Sequence, residues 1–600
     1  MNSHVSEQPG TTSEPSEPPQ GAPASELPPP LTAAPLGLQR ARFVLTPQDP
    51  ARAGELGRAL SISPLIAQVL LNRGIAHAEP AKTFLSPKLA HLTRPDQMAD
   101  RTVTAERLAD AVRKRERIVV FGDYDVDGTT SAAVLSGILE ALGGDVCTLL
   151  ANRFDGGYGL SDAALDRCLR ERPQVLVTCD CGSSDHDRVQ RARDAGVDVI
   201  VIDHHLVPAK PLAAVAFLNP HRPACGFPYK GLCSAGLALS VGAALRQALG
   251  ADIDLRPWLD LVALGTIADV APLDGDNRAL VRTGLALLSS ESARPGIVAL
   301  RELAKIRPGT ALSAIDVAFR MTPRLNAAGR LGDPSITLRL LRAQSLTDAR
   351  LIALEIERMN SERKTLERSA TEAAIAQLGA SGRERAGLVA AGEGWHRGVV
   401  GISAARLVDR YQRPALAIAL HDGLGHGSGR APDGFPLHAA LSRAAHLLEG
   451  FGGHDAAVGL TVRADRVDAL REAFDEACAA LRREESEDYA VNVDARLAGD
   501  HGYPLPKASE LGLLEPLGEA NPEPVFEAEA ELVRAEIVGS DHLKLSLRAG
   551  GGELSAFGYE MGARRADLLT SRVRAWGALR PDTYRGNERV ELRLLHVEAL

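Results

Sequence analysis

Short apolar runs alternate with amphipathic stretches in the first third of the chain, from about residue 105. The sequence predicts strands at Arg117–Phe121, Val146–Leu150, Val175–Cys179 and Val199–Ile202, and a helix from Thr129 to about Leu142. Apolar runs of this length are typical of strands buried on both faces, and their alternation with helices is typical of a parallel sheet. We therefore expect an α/β domain whose chemistry lies at the carboxyl edge of the sheet.

A different pattern follows this first domain. Residues 345–379 carry many charges and are predicted to form one long helix, capped by Ser345 or Thr347 and ended by Gly379, as expected of a helix that bridges two domains. Later apolar runs predict a second α/β domain and, from about residue 490, a small β-barrel. They are Gly387–Ala391 and Ala415–Leu420 in the α/β domain, and Glu527–Ile537, Leu543–Leu547, Leu554–Phe557 and Val590–Leu595 in the barrel.

Composition narrows the class of protein. Residues 1–36 are rich in Pro, Ser, Glu and Ala and lack apolar periodicity, which predicts a disordered tail. The chain has 45% hydrophobic residues but no transmembrane-length apolar stretch and no secretory signal. Its seven cysteines do not suggest a disulfide framework, so we expect a cytoplasmic protein. A net charge of −9 means that any nucleic acid must be bound by a local basic channel.

Acidic and histidine side chains follow the ends of the predicted strands. Taken singly, each has an ordinary explanation, because Asp after a strand is often a turn residue or a helix cap and a lone His pair is usually polar surface. Cys179 and Cys181 form a C-x-C that is more typical of buried structural thiols than of a zinc site. The candidate residues are Asp123, Asp125 and Asp127 in FGDYDVDG, Asp180 in VTCDCG, Asp203, His204 and His205 in VIDHH, and Asp269 in GTIADVAPLD.

Together, these residues predict a metal site. Adjacent ends of parallel strands meet at one edge of a sheet, so six or more carboxylates and two imidazoles would share one cleft. Such crowding is strongly repulsive unless divalent cations offset it. Oxygen ligands with one or two His suit Mn²⁺ or Mg²⁺ better than structural zinc, and two such ions catalyse phosphoryl transfer in many enzymes.

These motifs, in this order, resemble those of the DHH phosphoesterase superfamily. Further motifs narrow the resemblance to the RecJ exonucleases, over roughly residues 40–600. They are NRFDGGYGLS (152–161), PRLNAAGRLGD (323–333), WHRGVVGISAARL (395–407), GSGR (427–430), FGGHDAAVGL (451–460) and LEPLGEANPEPVF (514–526). The resemblance implies a DHH domain at 37–344 after the tail at 1–36, a connecting helix at 345–379, a DHHA1 domain at 380–484 and an OB-fold at 485–600.

The resemblance also implies an activity. It is that of a 5′–3′ exonuclease specific for single-stranded DNA, which releases 5′-mononucleotides with two Mn²⁺ or Mg²⁺ ions per site and serves DNA repair and recombination. The implied substrate is single-stranded DNA with a 5′ phosphate, the implied protein partners are a single-strand-binding protein and a helicase, and a monomer with no membrane association is expected. Two alternatives remain: a DHH enzyme for oligoribonucleotides or cyclic dinucleotides, and an inactive DNA-binding scaffold.

The resemblance also implies a role for each candidate metal ligand. One metal would be held by Asp125 and Asp180, and the second by Asp127, Asp180, His204 and Asp269, with Asp180 bridging. Asp123 and Asp203 would support these ligands or complete a site, and His205 would face the scissile phosphate. Many superfamily members have a His where this chain has Phe121, which predicts a weaker first site that fills when substrate supplies a ligand.

DNA-binding residues are expected in the remaining motifs, because Arg and Gly-rich turns offer donors to phosphate. For any single Arg, a surface or interdomain salt bridge is an equal alternative. Ser428, Arg430 and Arg324 are predicted to form the 5′-phosphate pocket, while Tyr158 stacks on a base or packs within a turn. The full predicted set is Arg153, Tyr158, Arg278, Arg324, Asn326, Arg330, Ser428, Arg430, Gly453 and His454, with Gly452 beside them.

Overall fold

The computed structural model describes residues 42–379, 381–481, 490–497, 502–549, 552–568, 570–582 and 589–600. The predicted disordered tail, residues 1–36, lies outside this range. No helix within it is long and apolar enough to cross a membrane. All seven cysteines are free thiols, six of them buried.

The N-terminal segment packs on the C-terminal barrel. Apolar side chains such as Leu56, Ile66 and Leu70 share one hydrophobic core with barrel residues. The segment consists of β1 (Arg42–Leu45), α1 (Pro50–Leu60), α2 (Pro64–Asn72) and α3 (Ala78–Leu85). The domain predicted at 37–344 therefore includes an N-terminal part whose core belongs to the other end of the chain.

The first sheet is parallel throughout, as the apolar runs predict. Its strand order is β3-β2-β4-β5-β6, so β2 and β4 lie side by side at its centre. The elements are α4 (Arg101–Lys114), β2 (Arg117–Gly122), α5 (Val126–Ala141), β3 (Asp145–Leu150), α6 (Asp162–Arg170), β4 (Val175–Cys179), α7 (His186–Asp194), β5 (Asp198–Ile202) and β6 (Ala216–Leu218). Side chains of β2 alternate between two cores: Ile118 and Val120 pack on one face, and Val119 and Phe121 on the other.

Helices cover one face of this sheet and carry the chain to the second domain. Helix α8 packs on α5, and α9 packs on both α5 and α10. The helices are α8 (Ser234–Leu249), α9 (Leu259–Ala268), α10 (Gly275–Ser289), α11 (Pro295–Leu303), α12 (Ala314–Asp316), α13 (Thr322–Leu331) and α14 (Ser335–Leu341), with a π-helical turn at Val317–Met321.

A single long helix, α15 (Leu346–Leu378), connects the two α/β domains. Ser345 caps its start, accepting a hydrogen bond from the N–H of Asp348, and Gly379 follows its last turn with φ +50°. The second domain is a mixed sheet of order β10-β11-β9-β8-β7. Its elements are β7 (Leu388–Glu393), α16 (Val400–Tyr411), β8 (Ala415–His421), β9 (Leu424–Arg430), α17 (Leu437–Arg443), β10 (Leu448–His454), β11 (Ala457–Arg463) and α18 (Val467–Leu481).

The C-terminal region forms a closed five-stranded barrel. Strand β14 pairs with both β15 and β17, which closes the order β14-β15-β16-β18-β17. The elements are β12 (Ala490–Val493), β13 (Ala495–Leu497), α19 (Ala508–Leu511), β14 (Phe526–Val538), β15 (His542–Ala549), β16 (Gly552–Gly558), β17 (Arg572–Pro581) and β18 (Val590–Ala599). Strand β12 pairs in parallel with β1, so backbone hydrogen bonds join the N-terminal segment to the strand that precedes the barrel.

Candidate active site

The turn between β2 and α5 supplies three carboxylates. Asp125 is the N-cap of α5, and its Oδ1 accepts the N–H of Gly128 at 3.0 Å. Asp127 lies in the first helical turn, and Asp123 directly follows β2; both are buried. A side chain at Gly128 would meet the Asp123 nitrogen at 2.5 Å, so only glycine lets the strand end and the helix start come this close. The motif therefore turns sharply enough to direct carboxylates to one edge.

The neighbouring strands β4 and β5 bring Asp180 and the two histidines to the same edge. Asp180 follows β4 with φ +64°, a left-handed conformation that few non-glycine residues adopt. Asp203 follows β5 and accepts the N–H groups of Ser183, His204 and His205 at 3.0, 2.8 and 3.2 Å. Three backbone hydrogen bonds fix the Asp203 carboxylate, and the left-handed backbone at Asp180 is a cost that the surrounding structure must hold in place.

Two helix ends complete the site. Asp269 stands at the C-terminal end of α9. The N-terminus of α8 faces Asp127, whose two oxygens accept the N–H groups of Ser234 and Ala235 at 2.8 and 3.0 Å. The Ser234 hydroxyl also lies 3.3 Å from Asp180 Oδ1. Sequence reasoning missed Ser234, because its contribution to Asp127 is a backbone N–H that any residue carries.

The predicted ligands converge. Three groups each place one ligand atom per residue within 4.8 Å of the others: Asp123, Asp125 and Asp180; Asp127, His204 and Asp269; and Asp180, His204 and His205. His204 Nε2 lies 3.2 Å from Asp180 Oδ1, 3.7 Å from Asp269 Oδ2 and 3.9 Å from Asp127 Oδ2. This buried nitrogen has no hydrogen-bond partner among the described residues. A nitrogen aimed at three carboxylates without a hydrogen bond is the donor set that a divalent metal ion fits.

The charges in this cluster oppose one another. Burial, followed by neighbouring carboxylates, raises the pKa of Asp180 and Asp123 well above their usual range. Burial and the charges of Asp127 and Asp125 raise the pKa of Asp269 to about 8. Carboxylates held this close keep their protons at neutral pH unless a cation offsets them, so the cluster favours divalent metal binding.

His205 is positioned by its neighbours. Its Nδ1 lies 2.7 Å from Asp203 Oδ1 and 3.1 Å from the Tyr158 hydroxyl, which also donates to the Asp180 carbonyl at 3.0 Å. Burial works to lower the pKa of His205, but the hydrogen bond with Asp203 raises it to about 9. Phe121, where many superfamily members have a His, is fully buried in β2 and offers no ligand.

A basic cluster lies where the second domain meets the first. Arg153 stacks over the Tyr124 ring at 4.3 Å, and its buried Nε has no hydrogen-bond partner among the described residues. Burial, and then the charges of Arg153 and Arg363, lower the pKa of Arg330 to about 10. From the second domain, Arg430 donates to Ser428 Oγ at 3.0 Å, and Arg153 in turn helps to lower the pKa of Arg430. The cluster therefore concentrates positive charge from both domains at one place.

Arg363 is a member of this cluster that sequence reasoning missed. It lies on α15 and is buried, donating to Glu367 at 2.8 Å and Asn360 at 3.1 Å, while its Nε has no partner among the described residues. The long helix carries many charged residues, so their positions in the sequence do not distinguish this buried arginine from those that face solvent.

Two predicted DNA-binding arginines have other roles. Arg278 is 2% exposed and donates to the carbonyls of Phe84, Leu513, Leu514 and Pro516, so it joins α10 to the segment before the barrel. Arg324 pairs with Glu357 on α15 at 2.6 Å and donates to the carbonyls of Arg320 and Leu303. The prediction that Arg324 joins Ser428 and Arg430 stays a prediction, because the described contacts of Arg324 are with Glu357 and two carbonyls; Arg330, six residues later, is the arginine whose pKa the charge of Arg430 helps to lower.

The GSGR motif of the second domain lies in a strand and not in a turn. GSGR ends β9, where Cβ atoms on Gly427 and Gly429 would meet Ile418 and Leu416 at 2.9 and 2.6 Å, so these glycines allow close packing. Ser428 points the other way, towards Gly401 at the start of α16.

Three further residues that were expected to bind DNA are Gly453, His454 and Asn326, and their described contacts are local. Gly453 has φ +126° near the β10–β11 turn, beside Gly452, and His454 Nδ1 accepts the N–H of Ala456 at 3.3 Å, which fits a structural turn histidine. Asn326 is half-buried on α13, one helical turn before Gly329, which packs on the Tyr124 carbonyl.

Comparison with known proteins agrees with this architecture. Family models match residues 117–266 as the DHH family N-terminal domain, 384–480 as the DHHA1 domain and 503–596 as the RecJ OB domain. The fold resembles that of RecJ from Thermus thermophilus in complex with Mn²⁺, with a TM-score of 0.78 and 30% identity over 93% of this chain and 80% of that one. The same protein in complex with Mg²⁺ gives a TM-score of 0.73.

Two curated relatives that cover most of the chain are named as exonucleases. The chain is 32% identical over 563 residues to the single-stranded-DNA-specific exonuclease RecJ of Bacillus subtilis, covering 92% of this chain and 70% of that protein. It is 36% identical over 518 residues to the protein of the same name from Escherichia coli, covering 82% of this chain and 88% of that protein. With all three domains matched in order and this identity over most of both chains, the protein belongs to the RecJ family.

Proposed function

We infer that this protein is a metal-dependent 5′–3′ exonuclease specific for single-stranded DNA, which releases 5′-mononucleotides in DNA repair and recombination. The observation that carries the inference is the convergence of Asp127, His204 and Asp269 with two further ligand groups on one sheet edge. The relatives named as single-stranded-DNA-specific exonucleases support the substrate.

Two Mn²⁺ or Mg²⁺ ions fit the donor set. Asp123, Asp125 and Asp180 would hold one, and Asp127, Asp180, His204 and Asp269 the other, with the first weaker because Phe121 supplies no ligand. Such ions activate a water and neutralise charge on a scissile phosphate. A titration with Mn²⁺, with and without a non-cleavable DNA analogue, tests the difference; equal and tight filling of both sites in the free protein would contradict it.

The protein's own residues orient the substrate. The Asp203 carboxylate and the Tyr158 hydroxyl hold the His205 ring, which leaves this imidazole fixed beside the metal cluster to contact the phosphate. The N–H groups of Ser234 and Ala235 fix both oxygens of Asp127. A rigid ligand set of this kind does not have to reorganise when the strand binds.

The basic cluster would hold the 5′ phosphate. Arg330, Arg153 and Arg430 come from both α/β domains, and Ser428 adds a hydroxyl next to Arg430. Arg397 of the second domain also stacks over the Phe154 ring of the first at 4.5 Å. A terminal phosphate anchored between the domains, with the metal cluster on one side, would limit cutting to the end of the strand.

Selection of single strands would be steric. The barrel extends the binding track, since OB-folds bind single strands through basic and aromatic surface. We propose that the protein acts as a monomer and receives its substrate from a helicase and a single-strand-binding protein. Light scattering and pull-down with each purified partner test these two points separately.

Direction and product test the proposed function. A long single strand labelled at its 5′ or 3′ end is digested with Mn²⁺, beside a circular strand of the same composition. We expect 5′-labelled mononucleotide at the earliest times, late release of the 3′ label, and no digestion of the circle. Binding without cutting would favour an inactive scaffold, and cutting restricted to very short oligonucleotides would favour a small-substrate phosphodiesterase.

A further inference from the structure

Two large apolar side chains stand exposed next to the metal cluster. Leu206 is 77% exposed and directly follows His205, and Val270 is 66% exposed and directly follows Asp269. The two loops meet at the cluster, because His204 Nε2 lies 3.7 Å from Asp269 Oδ2. Tyr158, whose hydroxyl contacts His205, is also 51% exposed. Two exposed apolar side chains therefore each directly follow a residue of a highly charged cluster.

The backbone at Val270 adds a second, independent observation. Its φ is +58°, the left-handed region that β-branched residues strongly disfavour. Asparagine or glycine adopts this conformation at lower cost, and neither would expose an apolar side chain. The left-handed turn itself ends α9, where the Ala271 N–H donates to the Thr266 carbonyl at 3.1 Å. A helix end does not require valine at this position, and a valine that is costly both in its backbone and in its exposure is typical of binding sites.

We propose that Leu206 and Val270 form an apolar platform that packs against the nucleobases on either side of the scissile phosphate, an inference that rests on the proposed function. A phosphate at the cluster lies between the two loops, and neighbouring bases of a stacked strand are only about 3.4 Å apart along its axis. Every base has an apolar face, so aliphatic contacts hold any sequence. Bases in a duplex are stacked and paired, so the platform also favours single strands.

Nucleobases are the occupant that this position favours. A protein bound over these side chains would close the entrance that the strand must use. By contrast, Leu351 and Leu354, which are 65% and 58% exposed, lie on α15, in a different part of the chain from the metal cluster. They provide matched controls.

The test combines variants with a substrate that lacks bases. Leu206→Ser and Val270→Asn are compared with wild type on an ordinary single strand and on the same strand with abasic residues at its first three 5′ positions. We expect each variant to lower kcat/KM about fivefold on the ordinary strand, near the lower end of the effect of removing a base contact. On the abasic strand, wild type and variants should be equal, because the contact is already absent.

Controls separate this role from a structural one. Leu354→Ser should match wild type on both strands. Val270→Asn should melt no lower than wild type, since Asn tolerates φ +58°. Variants that lose the same factor on both strands, or none on the ordinary strand, would overturn the platform. Digestion of the ordinary strand by wild type tests the proposed function separately, because the wild-type protein would still digest that strand if Leu206 and Val270 did not contact the bases.

Discussion

Replacing Arg278 should destabilise the folded protein and leave its affinity for DNA unchanged. The guanidinium is buried and donates to the Phe84 carbonyl at 2.7 Å and to three carbonyls of residues 513–516 at 3.2–3.3 Å. It also stacks over the Phe84 ring, 3.7 Å from its centroid. Burial, followed by the charge of Arg282, lowers its pKa to about 9, so it remains charged at neutral pH. The Arg278 side chain thus joins α3 and α10 to residues 513–516, which precede the first barrel strand, β14.

Replacement by methionine should destabilise the protein by about 3 kcal/mol. The Phe84 carbonyl loses a charged donor, which costs about 1–3 kcal/mol for a buried group. The other carbonyls lose less, because Asn521 also donates to Leu514 and Pro516, and Arg282 to Leu513. Methionine keeps most of the apolar contact with Phe84 and removes the cost of burying a charge, which limits the total.

The assay compares urea unfolding with DNA affinity, in the Asp180→Asn background so that the strand is not cut. Arg278→Met should lower the unfolding midpoint and leave the affinity of the folded protein unchanged. Arg430→Met is the matched control: it should weaken binding, reduce the salt dependence by about one phosphate contact, and change stability little. An Arg278→Met protein of normal stability and weakened DNA binding would refute the structural role.

Further predictions concern the metal cluster. The pKa of Asp269 is about 8 in the folded protein, above its unfolded value, so the metal-free folded state binds one proton more than the unfolded state between these two pKa values. Its free energy of unfolding should therefore fall as the pH rises towards 8, by up to about 1 kcal/mol per pH unit. Calorimetry should show that Mn²⁺ stabilises the protein most at pH 8. Ser234→Ala removes the hydroxyl near Asp180 and should raise the Mn²⁺ concentration for half-maximal activity about tenfold, with unchanged melting. Gly128→Ala pushes on the Asp123 nitrogen and should lower kcat at least about 100-fold, since misplaced ligands are costly; near-normal kcat would contradict the packing.

The strands and ligands of the first domain could be predicted because their physics is local. Fully buried parallel strands must be apolar along their length, so β4 was predicted at its observed bounds and β2 and β5 to within one residue. Carboxylates that follow such strands have few positions other than the sheet edge. Helix α5 was predicted three residues late, because its polar first turn resembles a loop until Asp125 is seen to cap it.

Contacts distant in sequence could not be predicted from local pattern. An arginine in a motif gives its charge but not its partner, so Arg278 and Arg324 were indistinguishable from Arg330 until carbonyls and Glu357 were placed beside them. Strand β17 was missed, because Arg572–Pro581 alternates charged, small and aromatic residues around a glycine. Its partner β14 supplies the pairing that makes it a strand.

The most direct test of the metal-dependent mechanism measures Mn²⁺ binding and release of a 5′-terminal label on the same preparations of wild type and Asp180→Asn. The variant is nearly isosteric and should keep the wild-type fold, checked by circular dichroism. We expect it to lose at least one Mn²⁺ binding event and to cut at least about 1,000-fold more slowly, since Asp180 belongs to two of the three ligand groups. A variant that binds Mn²⁺ as wild type does, or cuts at a similar rate, would contradict the assignment of catalysis to this cluster.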